Sequence, residues 1–490
     1  VNPTQFRNVR LPGQSEPVDL LIFRGTIVEI RPSASGSPEL RSEVVDLAGR
    51  WAVPGLWDNH VHFTQWAINS RRLDLSGARS AAEVAALVAG EIAARAGESE
   101  TILVGVGFRD GLWPDLPTAA LLDTAAGSVP VVLISGDLHC VWLNSAALRQ
   151  FGHAESPSGI LREGDAFPIS VAAQQASGAQ LEGWIDDAAM EAAKRGVVGI
   201  VDLEMAWNRD VWAERYARGF RGLRVEFGVY PQHLDRAIAD GLRTGLAVEG
   251  SDDLLQVGPM KVITDGSLNT RTAYCVEAYP GLSGPEARGL LTVDPAELVT
   301  LLGTAHSSGF RVAVHAIGDA ANAHALDAFA ATGARGSIEH AQLVAPADFA
   351  RFAELGVTAS VQPEHALDDR DVADRYWSGR TDRAFALASL LRAGATLALG
   401  SDAPVAPLDP WVTIAAAVGR DRDGREPWHP EQAISTADAL AASVRSTIAV
   451  GQPADLAILD VDPLGASSAD LRAMPVAATT IGGRFTHDSR

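Results

Sequence analysis

Eight short apolar runs, spread along the middle of the chain and separated by stretches of helical pattern, constrain its architecture more than any other feature. In order they are "AVPGLW", "VVGIVDL", "LRVEFGVY", "MKVITDG", "RVAVHAI", "GSIEHA", "TASVQP" and "TLALGSD". Each is strand-sized, and most lead into a helical pattern. Eight strands alternating with helices predict a (β/α)8 TIM barrel of the α/β class. With 490 residues and 47% hydrophobic content, the chain is long enough for more than one core.

The spacing between the first two runs is anomalous. Well over a hundred residues separate "AVPGLW" from "VVGIVDL", and they contain two further strand patterns, "TILVGVGF" and "PVVLISGD". This predicts a subdomain inserted at about 65–190 into a barrel domain spanning 53–450, placed to cap the pocket. Both chain ends have a different texture. "VDLLIFRGTIVEI" and "SEVVDLAGRWAV" near the start, and "GQPADLAILDVDPLG" and "PVAATTIGGRFTHD" near the end, are β-rich and broken by turn residues. They predict one small β-sandwich domain assembled from residues 1–52 and 451–490.

Composition narrows the function classes. A formal net charge of −21 argues against a nucleic-acid or anionic-membrane partner and leaves a small-molecule substrate as the expected one. No run reaches membrane-spanning length without charges or turn residues, and the first residues lack the pattern of a signal peptide. Cys140 and Cys275 are too few for a disulfide framework, so a reducing cytoplasm is the expected compartment. Association into a homo-oligomer stays open.

Catalytic groups in such a barrel belong at the C-terminal ends of its strands. The first run is followed by "DNHVHF", where His60 and His62 share one side of an extended segment. The fourth carries Lys261, the fifth His315, the sixth His340 and the eighth Asp402. Singly these are weak signals: a lone histidine is more often a hydrogen-bonded structural residue, and Ser401–Asp402 alone reads as a helix cap. Four histidines, a lysine and an aspartate at the ends of five strands point instead to a metal site. Lys261 stands out because the chain has only one other lysine, Lys194; burial can neutralise a lysine and free it for chemistry, which arginine does not allow.

The same segments resemble the metal-dependent amidohydrolase superfamily over nearly the whole chain. "VPGLWDNHVHF" is similar to its first-strand signature and "GQPADLAILD" to a strand of its small β-sandwich. "SGDLHCVWLNSAAL", "MKVITDGSLNTRTA", "HAIGDAAN", "IEHAQLV", "SVQPEH" and "LGSDAPVAPLDP" resemble amidohydrolase family 3, the branch that includes N-substituted formamide deformylases. The resemblance implies that His60, His62 and Asp402 bind a more buried metal and that His315 and His340 bind a second. It also implies that Lys261, if the site is binuclear, is carboxylated and bridges the two ions. A single-ion site with Lys261 as bystander stays open.

The chemistry expected of such a site is attack of metal-bound hydroxide on a carbonyl. A divalent ion, zinc by default and one or two per chain, lowers the pKa of bound water from near 16 toward about 7. Asp402 is the candidate general base and acid. His139, Arg271, Gln362 and His365 are candidate substrate-binding residues, although a structural ion pair is the plainer role for Arg271. Trp57 stands between pocket wall and core. The leading reading is a hydrolase acting on a C–N bond of an amide, formamide, carbamate or cyclic amide. An esterase or lactonase on the same site, and a noncatalytic metal-stabilised binding barrel, are the alternatives.

Overall fold

The computed structural model describes residues 3–33, 43–94, 102–153, 156, 158–173 and 178–490. One sheet runs in strict sequence order: β1 (Leu56–Val61), β2 (Val197–Asp202), β3 (Arg224–Val229), β4 (Leu255–Ile263), β5 (Val312–Ala316), β6 (Gly336–His340), β7 (Thr358–Val361) and β8 (Leu397–Leu399). Every neighbouring pair is parallel. Its two edges meet: the His62 amide donates to the Ala403 carbonyl and the Asp402 amide to the His60 carbonyl, both at 2.7 Å. The sheet therefore closes into a (β/α)8 barrel, with helices such as Pro295–Ser307 and Asp319–Thr332 packed outside it.

Continuous apolar strands follow from this burial. All six residues of β2 are buried, because the barrel interior covers one face and helices cover the other. Gly199 in β2 is required by close packing: a Cβ there would lie 2.3 Å from the Trp57 indole. Trp57 thus fills the barrel core, and the Arg445 guanidinium lies 4.2 Å from its ring centroid.

The run "AVPGLW" serves two sheets. Trp51–Pro54 pairs antiparallel with Leu456–Leu459, and the chain enters the barrel only from Leu56 onward. That outer sheet has the order Arg484–Asp488, Val476–Ile481, Leu456–Leu459, Trp51–Pro54. A second four-stranded sheet has the order Thr26–Pro32, Val18–Phe23, Thr4–Val9, Glu43–Asp46. Phe6, Leu20, Ile22 and Ile27 from one sheet share a buried cluster with Leu456 and Ile458 from the other, so the two ends of the chain build one core.

Between β1 and β2 lies a five-stranded sheet of order Ile160–Arg162, Cys140–Leu143, Val131–Ser135, Leu103–Phe108, Leu73–Asp74. Helices Ala81–Ala94 and Ala119–Ala126 bury apolar residues against it. Of the sequence patterns, Ser42 of the second β-rich run and Thr101 of "TILVGVGF" lie outside the described residues, as do residues 1–2 and 34–42 of the expected terminal domain and 95–101, 154–155, 157 and 174–177 of the expected insertion. Cys140 and Cys275 are free and buried. Among the described residues no helix is long and apolar enough to cross a membrane.

Candidate metal and catalytic centre

Barrel closure delivers the aspartate to the histidines. The backbone bonds between β1 and the segment after β8 place Asp402 Oδ1 3.5 Å from Nε2 of both His60 and His62. Asp402 adopts a left-handed φ of +58°, which swings its carboxylate over the end of the barrel. His60 is the penultimate residue of its strand, whereas His62 is the residue before helix Phe63–Asn69. The His340 ring centroid lies 4.9 Å from that of His60 and 4.5 Å from that of His315.

The tightest ligand set is His60, His340 and Asp402, whose ligand atoms all lie within 4.8 Å of one another. The family resemblance implies His340 together with His315, and those two ring centroids lie 4.5 Å apart. The structure brings all four imidazoles to one cavity, with the His340 ring close to those of both His315 and His60.

Outer partners fix the ring orientations. His60 Nδ1 lies 2.6 Å from Glu339 Oε2, and His340 Nδ1 lies 2.9 Å from Gln362 Oε1, which leaves each Nε2 free for the centre. His315 Nε2 lies 3.3 Å from Asp265 Oδ1. The Asp265 carboxylate in turn accepts from the amides of Tyr274, Ile317 and Gly318.

Burial sets the charge states. It pushes His60 down to about 4, aided by the charge of Lys261, and it pushes His340 and His315 below the ordinary imidazole value. Neutral imidazoles are the form that binds metal. Asp402 goes the other way: burial raises it, but the surrounding histidines outweigh burial and keep it ionised. His62 is raised above its ordinary value because Asp402 and Glu204 outweigh its burial.

Lys261 is 1% exposed, and its Nζ has no hydrogen-bond partner. Burial pushes the amine down to about 8 against the opposing charges of Glu339 and Asp402. Nδ1 of His62 and Nε2 of His365 are also buried without hydrogen-bond partners. Orphaned polar atoms are costly in a folded protein. Several of them at the same centre, beside neutral imidazoles and an ionised carboxylate, fit a divalent cation.

These groups line a cavity that opens to solvent. The inserted lobe forms part of the wall. It docks on the segment after β4: Asp137 accepts from the Ser267 hydroxyl at 2.7 Å and Glu163 from the Thr272 hydroxyl at 2.6 Å. His139 reaches the cavity from this lobe, with Nδ1 2.8 Å from Glu163 Oε2 and its ring centroid 5.9 Å from that of His315. His365 also lines the cavity, with Nε2 3.9 Å from Asp402 Oδ2.

Two of the expected binding residues stand elsewhere. Gln362 lies behind His340 and orients it rather than lining the cavity. Arg271, held at a φ of +60°, points its guanidinium over the Tyr376 ring, 5.4 Å from the centroid, and does not line the cavity. Trp57 is likewise absent from the cavity wall.

Sequence reasoning missed Glu339, Asp265, Glu163 and Arg109. Glu339 is the instructive case. Successive strand residues point to opposite faces, so Glu339 and His340 should not serve one centre. The φ of +74° at His340 breaks the alternation and turns both inward. Arg109 lines the mouth, pairing with Asp368 at 3.0 Å.

Comparison with known proteins agrees with this geometry. Residues 43–487 match the profile described as "Amidohydrolase family". The protein LONG AFTER FAR-RED 3 of Arabidopsis thaliana is 32% identical over 90% of this chain and 83% of its own length. The N-substituted formamide deformylase of Arthrobacter pascens is 25% identical over 95% and 92%. The crystal structure of an uncharacterized metal-dependent hydrolase from Pyrococcus horikoshii OT3 superposes with a TM-score of 0.76 at 26% identity, covering 95% of this chain and 99% of that one.

Proposed function

Because the chain belongs to the amidohydrolase family and is a metal-dependent hydrolase, we propose that it cleaves the C–N bond of a small amide, formamide, carbamate or cyclic amide. The observation that carries this reading is the position of Asp402, with one carboxylate oxygen 3.5 Å from Nε2 of both His60 and His62 and the other 3.9 Å from His365 Nε2. A purely structural metal site is closed by its ligands, whereas here the carboxylate and the histidines face a cavity open to solvent. The deformylase relative supports an amide as the substrate.

His60, His62, His340 and Asp402 would hold a divalent ion, with His315 and a carboxylated Lys261 completing the set if a second is bound. Zinc suits the imidazole donors, and such an ion supplies acidified water and a polarised carbonyl. Asp402 takes the proton of the attacking water as the new C–O bond forms, then delivers it to the nitrogen as the C–N bond breaks. Glu339 and Gln362 keep the Nε2 atoms of His60 and His340 directed at the centre throughout. The products are a carboxylic acid and an amine, or a carbonic acid monoester and an amine from a carbamate; a cyclic amide opens to carry both groups on one molecule. Phe167, Val171 and Met205 give the outer cavity an apolar wall for the substituent on nitrogen.

A panel of small amides and their ester counterparts, each assayed with and without chelator, tests this. Chelator-sensitive amide hydrolysis is expected. Hydrolysis of esters alone would overturn the C–N assignment.

A further inference from the structure

Gln342 has no part in the ligand set or in the proton path, yet its surroundings are built with care. It lines the cavity two residues beyond His340, is 3% exposed, and its Oε1 is buried without a hydrogen-bond partner. Gln65, another cavity-lining carboxamide, is spoken for: its Nε2 donates to Glu204 at 2.6 Å.

The backbone fixes where Gln342 sits. His340 and Ala341 both have positive φ, +74° and +41°, a conformation that costs energy for residues with a Cβ and is found where function requires it. This turn carries the chain from the end of β6 to Gln342. Beyond it, the Gln342 carbonyl accepts from the Phe385 amide at 2.6 Å and the Leu343 amide donates to the Ile317 carbonyl at 2.9 Å. The Asn322 side chain donates to the Leu343 carbonyl at 3.2 Å. The carboxamide is therefore held on an anchored, strained segment at the cavity wall. A half-turn of its terminal torsion exchanges Oε1 and Nε2 within nearly the same volume, so an acceptor can face the cavity.

An amide substrate asks three things of its site. Its carbonyl oxygen needs an electrophile, its nitrogen lone pair needs a proton, and its N–H needs an acceptor. Cation and Asp402 answer the first two in the reading above.

We infer that Gln342 is a specificity-determining residue whose Oε1 accepts the N–H of the scissile amide, which restricts the enzyme to amides that carry an N–H on the scissile nitrogen. The inference rests on the C–N reading. A tertiary amide or an ester brings no N–H and leaves the buried Gln342 acceptor unpaired. Sites built around a hydrogen bond reject analogues lacking it far more strongly than sites that sort by size.

The test compares N-butylformamide, N-butyl-N-methylformamide and butyl formate on metal-loaded wild type, Gln342→Leu and Gln342→Glu. Wild type is expected to favour the secondary over the tertiary formamide by about a hundredfold in kcat/KM. Gln342→Leu should lose most of its rate on the secondary formamide and little on the other two, collapsing that preference, while Gln342→Glu, which keeps an acceptor, should retain it. A merely structural role would lower all three rates together. Equal wild-type rates on the two formamides, or an unchanged preference in Gln342→Leu, would overturn the inference and leave the hydrolase reading standing. Should Gln342→Leu fail to fold, Gln342→Met carries the same comparison. Wild-type activity on the ester alone would overturn the C–N reading and this inference with it.

Discussion

Nδ1 of His60 lies 2.6 Å from Oε2 of Glu339, so a carboxylate on the sixth barrel strand orients a histidine on the first. Burial pushes Glu339 up, but the hydrogen bond and charge of His60, with the charge of Lys261, outweigh it and keep the carboxyl below its ordinary value. Carboxylates behind metal-binding histidines fix the tautomer and raise ligand basicity, and losing one weakens metal affinity by about 10–100-fold. Glu339→Ala should show a loss of that size in a competitive metal titration. Glu339→Gln, which still offers an acceptor, should lose less.

Lys261 separates metal binding from stability. Its buried, unpartnered amine is held at about 8. In metal-free protein Lys261→Met should raise the unfolding midpoint, because an apolar side chain of similar volume removes a desolvation cost of about 1–2 kcal/mol. The same variant should carry less metal per chain by elemental analysis if the lysine helps to hold it. Equal metal content in both proteins would make Lys261 a bystander.

Asp402→Asn keeps the shape and tolerates the left-handed φ of +58° at that position, since asparagine visits this region readily. It cannot take up a proton. Turnover should fall by about 10²–10⁴-fold with the fold intact by circular dichroism. Undiminished turnover would remove Asp402 from the mechanism.

His139 and Glu163 should give stability a defined pH window. Burial opposes the charged forms, but the contact between the two outweighs it, raising His139 to about 9 and lowering Glu163 to about 2. Asp137 and Asp402 add to the field on His139, and His315 adds to that on Glu163. A raised histidine contributes fully below its ordinary value near 6.5 and loses that contribution as pH rises through about 9. A lowered glutamate contributes above about 4.5 and loses it as pH falls through about 2. The contribution of the pair, on the order of 3 kcal/mol counted once, is complete between about 4.5 and 6.5. The difference in unfolding free energy between wild type and His139→Gln should be largest there and shrink above about 9.

The barrel and its site residues were legible because parallel strands buried on both faces leave continuous apolar runs, and because His60, His315, His340 and Asp402 sit near the end of such a run or just past it, with Lys261 inside one. The partners behind them were not legible. Glu339 and Asp265 look like ordinary strand-end acids, and nothing in "GSIEHA" shows that the backbone at His340 departs from strand geometry. The first strand was misplaced by a few residues because Trp51–Pro54 and Leu56–Val61 form one apolar run in sequence but belong to two sheets. Arg271 was read as a possible carboxylate clamp, yet its φ of +60° sends the side chain to Tyr376 instead.

Sequence alone determined the residue types and their order along the strands, and with them the barrel and the donor set, because strand period and apolar continuity are local properties. Tertiary structure decided which donors share a centre. Barrel closure brings Asp402 to His60 from 342 positions away along the chain, and left-handed backbone at His340 and Asp402 turns side chains where strand alternation would not. Docking of the inserted lobe onto Ser267 and Thr272 carries His139 to the cavity. These are long-range contacts and single-residue backbone conformations, which leave no periodic trace in a sequence.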